Sequence, residues 1–232
     1  MSGRGRVVSR SREADLAFLI ADLAGYTALT EAMGDLGAAK VIARYVEIAR
    51  EALQPGTRLV ERVGDELLVV GEDVASIVRT ATCLRQAVEC EPLFPAVRAG
   101  MHAGGVLEHD GKYLGAVVNL TARVAAHAAA GQILCTEPVV RRAERLPEIE
   151  YRKIGPVRFR NIADPVRVFE VMTGRQCGER TVVDPVCRMQ VTPETAPARL
   201  PYGEATYFFC SFSCAQAFAQ RPNSYVGPAD QR

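Results

Sequence analysis

The hydrophobic positions along this chain change period several times, and each change marks an element. Leu16-Ala17-Phe18-Leu19-Ile20-Ala21 is an unbroken apolar run that predicts a buried strand over 16–22. Val41, Ile42, Tyr45, Ile48, Ala49, Ala52 and Leu53 recur at helical spacing, as do Val74, Ile77, Val78, Ala81, Leu84 and Val88. Further strands are predicted at 58–63, 66–71, 96–103, 132–135 and 165–171, with 58–63 and 66–71 folded about a tight Gly64-Asp65 tip. Periodicity alone gives an α+β protein.

Two acidic residues stand where these patterns end. Asp22 closes the first apolar run just before Ala24-Gly25-Tyr26-Thr27, where a helix starts, and Asp65 sits at the hairpin tip. Each has an ordinary structural reading, as a helix N-cap and as turn chemistry. A carboxylate at the end of a hydrophobic strand is costly unless something positive meets it. Two that converge repel, and a divalent cation is the usual remedy. Later, Asn119 and Arg123 are four apart on a predicted helix and share one face. Taken alone they are a solvated helix face, yet an amide beside a guanidinium suits a sugar edge and a phosphate.

Five segments in this order resemble the catalytic domain of the class III adenylate and guanylate cyclases. They are Phe18 to Thr27, Val63-Gly64-Asp65, Arg98 to Gly104, Gly115-x-x-Val118-Asn119-x-x-x-Arg123 and Asp164 to Val171, spread over residues 14–173. The resemblance implies a ferredoxin-like β-α-β-β-α-β core with extra elements, its sheet antiparallel or mixed. It also implies two-metal phosphoryl transfer, in which a ribose 3′-hydroxyl attacks the α-phosphate of a purine nucleoside triphosphate. Asp22 and Asp65 would hold two Mg²⁺ or Mn²⁺ ions per site, Asn119 would orient the ribose, and Arg123 would meet charge developing at the α-phosphate. Arg160 falls where the family often places a lysine on the terminal phosphates, although the usual following glycine is Asn161; an exposed strand charge is the other reading. His102 reads as a packed strand residue and not as a base. In this family the metal aspartates come from one subunit and the base-reading residues, Asn and Arg from the other, so one catalytic domain implies a homodimer.

The resemblance implies that the base would be read at Glu61 and Lys112. Glutamate can accept from the guanine ring N–H and amino group, and lysine can donate to O6, which places GTP slightly ahead of ATP. The ordinary alternative is a strand-edge salt bridge between them. A catalytically degenerate, nucleotide-binding regulator is the competing function class.

With 232 residues and a net charge of +1, there is no electrostatic case for nucleic acid or an anionic membrane as partner. No apolar run approaches the roughly 20 residues of a membrane span. Residues 1–13 read as a flexible basic arm without a secretion signal, and the chain as cytoplasmic.

After a polar linker at 174–181 the composition changes. Four of the eight Phe lie between 208 and 218, a small core that needs a staple. Cys187, Cys210 and Cys214 provide candidate ligands, the last two one helical turn apart. The Asp184-Pro185-Val186-Cys187-x-Met189 opening and the Tyr207-Phe208-Phe209-Cys210-Ser211-x-x-Cys214 segment resemble the YHS domain, a relative of TRASH metal-binding modules, over 182–228. That resemblance implies Zn²⁺ or Cu⁺ at these cysteines and metal-tuned output from the domain before it. Inert core cysteines or a disulfide are the alternatives. No fourth ligand is evident, and Cys83, Cys90 and Cys135 read as small core residues.

Overall fold

The computed structural model describes residues 11–143, 146–174 and 181–226. The first half of the chain runs β1 (Ser11–Leu23), α1 (Tyr26–Ala52), β2 (Thr57–Val63), β3 (Glu66–Gly71), α2 (Val74–Glu89) and β4 (Val97–His109). There follow β5 (Lys112–Leu114), α3 (Ala116–His127), β6 (Ile133–Thr136), α4 (Glu137–Arg142), β7 (Ile149–Val157) and β8 (Val166–Thr173). Their strands form one sheet in the order β2-β3-β1-β4-β6-β8-β7, with β5 paired to β4. The part β2-β3-β1-β4 with α1 and α2 is the ferredoxin-like core, and β6, β8 and β7 extend it. Only β4 and β6 run parallel, so the sheet is mixed.

Alternation along β1 explains its unbroken apolar run. Ala17, Leu19, Ala21 and Leu23 enter the core with α1 and α2, while Leu16, Phe18 and Ile20 pack on the other face with Val117 and Ala125 of α3. Both faces are covered, so neither side of the strand can be polar. The helix α3 lies so close to the sheet that a side chain at Gly100 has no room: a Cβ there would sit 2.1 Å from the Ala125 backbone nitrogen. Gly100→Ala is therefore expected to push α3 off β4 and cost about 1–3 kcal/mol of stability. Thermal unfolding checks this, and an unchanged midpoint would contradict the close packing.

Several elements depart from the periodicity. The first helix starts at Tyr26, at the expected Ala24-to-Thr27 helix start, but runs ahead of the apolar pattern that begins at Val41 and breaks at Gly34 (φ 70°, ψ 171°). β1 begins at Ser11, inside the segment expected to be a flexible arm; residues 1–10 of that arm lie outside the described residues. No position of β7 is buried, all being exposed or half-buried, and the pattern does not reveal it. Arg160 lies in the turn after β7 and not on a strand. Of the three cysteines read as core residues, only Cys135 is buried; Cys83 is exposed, and Cys90 is exposed and disulfide-bonded.

The C-terminal module contains β9 (Val182–Val183) paired with β10 (Gln190–Val191), the hairpin β11 (Ala198–Tyr202) and β12 (Ala205–Phe209), and α5 (Phe212–Gln220). Phe218 is its centre, with the rings of Tyr207 and Phe209 at 5.0 and 5.2 Å. Its apolar residues join the main core, since Val186, Cys187, Met189 and Phe218 belong to the same buried cluster as Leu29 and Val41. Among the described residues no helix is long and apolar enough to cross a membrane.

Candidate active site and metal centre

The register of β1 against β4 sets the acidic site. Asp22 follows Ile20 on the face that carries α3, and its direct cross-strand partner is Arg98. The two form a forked ion pair, Nε to Oδ1 at 2.6 Å and Nη2 to Oδ2 at 2.9 Å. Asp65 reaches the same place from the β2–β3 tip, and its Oδ2 accepts the Leu23 backbone N–H at 3.2 Å. Burial, with the Asp22 charge adding to it, holds the Asp65 carboxyl above its ordinary range. Glu66 is likewise raised by burial and by the charges of Asp22 and Asp65. The Tyr45 hydroxyl nearby is buried and has no hydrogen-bond partner among the described residues, its pKa pushed well up by burial and by the same two aspartates.

Three carboxylates against the Arg98 guanidinium leave a deficit of two positive charges (three minus one). That deficit, with hard oxygen donors and raised carboxyl pKa values, fits a divalent cation such as Mg²⁺ or Mn²⁺ held by Asp22 and Asp65.

The other predicted groups stand apart from this cluster. Asn119 and Arg123 are exposed on α3, and among the described residues their side chains make no hydrogen bond or ion pair. One turn further on, the His127 ring meets Phe159 edge-on at 5.7 Å, which brings the Arg160 turn beside α3. Asn161 takes φ 64°, a left-handed conformation that asparagine tolerates better than most residues. The absent family glycine is thereby accommodated. Glu61 follows a register shift in β2, and Lys112 starts β5. Those two strands are tied by Arg58, which donates to the Tyr113 hydroxyl. Glu61 and Lys112 are both exposed and form no ion pair among the described residues, so the salt-bridge reading is not what the structure has. His102 packs as expected: its Nδ1 lies 2.6 Å from the Thr136 hydroxyl, and burial lowers its pKa to about 4.

In the C-terminal module Cys187 comes together with the neighbouring pair Cys210 and Cys214. Sγ of Cys187 lies 3.3 Å from Sγ of Cys210, which lies 3.7 Å from Sγ of Cys214. Two sulfurs each about 2.3 Å from one tetrahedral ion would lie about 3.8 Å apart. A fourth donor, missed in the sequence, is Asp184, fully buried and with its ligand atom within 4.8 Å of the three sulfurs. Its Oδ1 accepts the Val186 N–H at 2.8 Å, and its Oδ2 accepts the Cys210 N–H at 2.8 Å. One carboxylate thus holds both cysteine-bearing loops in place. Hydrogen bonds from Cys187 and Cys210 favour the Cys214 thiolate and lower its pKa, while the bonds of Cys187 with Cys210 and Cys214, together with burial, raise that of Cys187. Three thiols and a buried carboxylate fit a thiophilic ion such as Zn²⁺.

Comparison with known proteins agrees with both halves. Residues 182–229 match the YHS domain. Over 173 residues the chain is 30% identical to the pH-sensitive adenylate cyclase of Mycobacterium tuberculosis, a stretch covering 73% of this chain and 43% of that protein. The adenylyl cyclase CyaB from P. aeruginosa has the same fold at a TM-score of 0.62 and 21% identity, over 72% of this chain and 97% of that one. The adenylate/guanylate cyclase/hydrolase from Silicibacter pomeroyi gives 0.58 at 26% identity, over 71% and 99%. The chain joins a class III nucleotide cyclase domain to a YHS domain. It spans less than half the length of the curated relatives it matches.

Within the cyclase domain, sequence reasoning missed Arg98 and Glu66. Glu66 adjoins Asp65 and was within reach of inspection. Arg98 opens one of the five segments, but its pairing with Asp22 depends on a strand register that no local pattern records. Within the YHS domain, the missed Asp184 opens the recognised Asp-Pro-Val-Cys motif.

Proposed function

We propose that the protein is a nucleotide cyclase that converts a purine nucleoside triphosphate to its 3′,5′-cyclic monophosphate and pyrophosphate. It acts as a homodimer with two sites at the interface, and the YHS domain is its metal-dependent regulator. One observation carries the reading: Asp22 and Asp65 converge with a deficit of positive charge, while Asn119 and Arg123 stand on another element, exposed and with no side-chain partner among the described residues. A half-site of each kind on one chain is what two copies would complete reciprocally.

Bound at Asp22 and Asp65, two Mg²⁺ or Mn²⁺ ions would supply activation of the 3′-hydroxyl and neutralisation of phosphate charge. Asp22 and Asp65 hold that charge in place from one protomer. From the other protomer, Asn119 orients the ribose and Arg123 stabilises charge developing at the α-phosphate. Arg160, in its turn beside α3, takes the terminal phosphates. Glu61 accepts from the guanine edge and Lys112 donates to O6, which favours GTP. ATP is the second reading, supported by relatives described as adenylate cyclases.

Incubating the purified dimer with Mn²⁺ and either nucleotide separates these readings. Cyclic GMP in excess of cyclic AMP is the expected result, and the reverse order moves the base reading to ATP. Nucleotide binding without cyclic product from either would replace the enzyme with a nucleotide-binding regulator.

A further inference from the structure

The thiol cluster and the acidic site are joined by a short run of backbone. Cys187 is followed by Arg188, whose φ of 67° is unusual for a residue with a side chain. The aliphatic stem of Arg188 lies against Gly25: a Cβ on Gly25 would be 2.4 Å from its Cγ and 2.6 Å from its Cβ. Gly25, itself at φ 83°, is the turn between Asp22-Leu23 and α1. The next residue, Met189, bridges to Pro95, and the Gln190 N–H donates to the Phe94 carbonyl at 3.0 Å. Pro95 and Ala96 lead directly into β4, where Arg98 pairs with Asp22, and the Ala24 N–H donates to the Ala96 carbonyl at 2.8 Å.

The loop that carries one thiol thus touches both strand ends that frame the Asp22–Arg98 pair. The same loop is held at its other side by Asp184, whose carbonyl accepts the Arg188 N–H at 2.9 Å. A cavity of about 680 Å³ between α1 and the YHS domain gives access to the cluster, lined by Met33, Met189, Cys210 and Cys214.

We propose that a thiophilic ion bound by Asp184, Cys187, Cys210 and Cys214 fixes Arg188 against Gly25 and thereby sets Asp22 for its own cation. The YHS domain then acts as a metal-responsive control on the acidic site, with Arg188 as the positioning residue. The proposal rests on the reading of Asp22 and Asp65 as a divalent-cation site. With the ion bound, the loop is held and the turn after Asp22 is preorganised; with it removed, part of the cation-binding free energy is spent on ordering that turn. Coupling between two binding sites is reciprocal, so each ion must tighten the other by the same factor.

The test uses the full chain, stripped with a chelator and then reloaded with one Zn²⁺ per chain. Mn²⁺ affinity is read from the electron paramagnetic resonance signal of free Mn²⁺. Zn²⁺ loading is expected to tighten Mn²⁺ binding about tenfold in the wild type. In Arg188→Ala the shift falls below about twofold while Zn²⁺ still binds, and Arg188→Lys, which keeps the aliphatic stem over Gly25, retains it. Equal Mn²⁺ affinity in stripped and loaded wild type overturns the coupling. A full shift in Arg188→Ala overturns the route. Cyclic nucleotide is measured separately: no product with an intact shift sinks the catalytic reading alone, and product without a shift sinks the coupling alone.

Discussion

Asp65→Asn is expected to lower cyclic nucleotide formation by about a thousandfold or more while leaving the fold intact. The loss follows from charge. In the proposed site Asp65 and Asp22 together would hold the divalent ions, and removing one carboxylate would take several kcal/mol from stabilisation of the transferring phosphoryl group, with each 1.36 kcal/mol worth tenfold in rate. Folding is spared because the asparagine amide oxygen can still accept the Leu23 N–H that Oδ2 now takes at 3.2 Å. The substitution also removes a half-buried carboxylate whose charged form burial disfavours. Initial rates at saturating Mn²⁺, alongside a thermal midpoint, check both parts. A variant with rates near wild type would place the metal chemistry elsewhere.

Arg123→Ala is expected to show an effect nearly as large, from the opposite half of the site. Its side chain is exposed and makes no ion pair among the described residues, so stability should change by no more than about 0.5 kcal/mol. A donor aimed at charge that develops only in the transition state is worth about 10²–10³ in rate. The expected signature is therefore a fall of that size in kcat with little change in nucleotide KM. Lysine should restore little, because an ammonium cannot present the same fork to two phosphoryl oxygens. A pure KM effect would instead make Arg123 a ground-state binding residue.

What the sequence disclosed and what it hid differ for a physical reason. The buried strand around Phe18 and the Gly64-Asp65 tip were legible because β1 is covered on both faces and the hairpin turn is local. β7 was not, because a mostly exposed strand needs no apolar alternation. The residues of both candidate sites could be named from short motifs, each contiguous in sequence. Their partners could not. Arg98 meets Asp22 only through the β1–β4 register, across 76 residues of chain. Asp184 reaches Cys210 across 26 residues, through a loop folded back onto β12 and the start of α5. The contact of Arg188 with Gly25 joins two domains, and neither residue carries a local mark of it. Local patterning records what a residue must bury, and register and docking decide what it meets.

Mixing two inactive proteins tests the shared site most directly. Asp22→Ala lacks the acidic half and Arg123→Ala lacks the half on α3, so each homodimer has two dead sites. If the halves come from different protomers, a mixed dimer holds one intact site. With random pairing, half of the dimers are mixed and each has one of two sites working, so about a quarter of wild-type activity should return. Recovery near that level is the predicted result. A mixture that forms heterodimers yet stays as inactive as its parents would contradict a site divided between two copies.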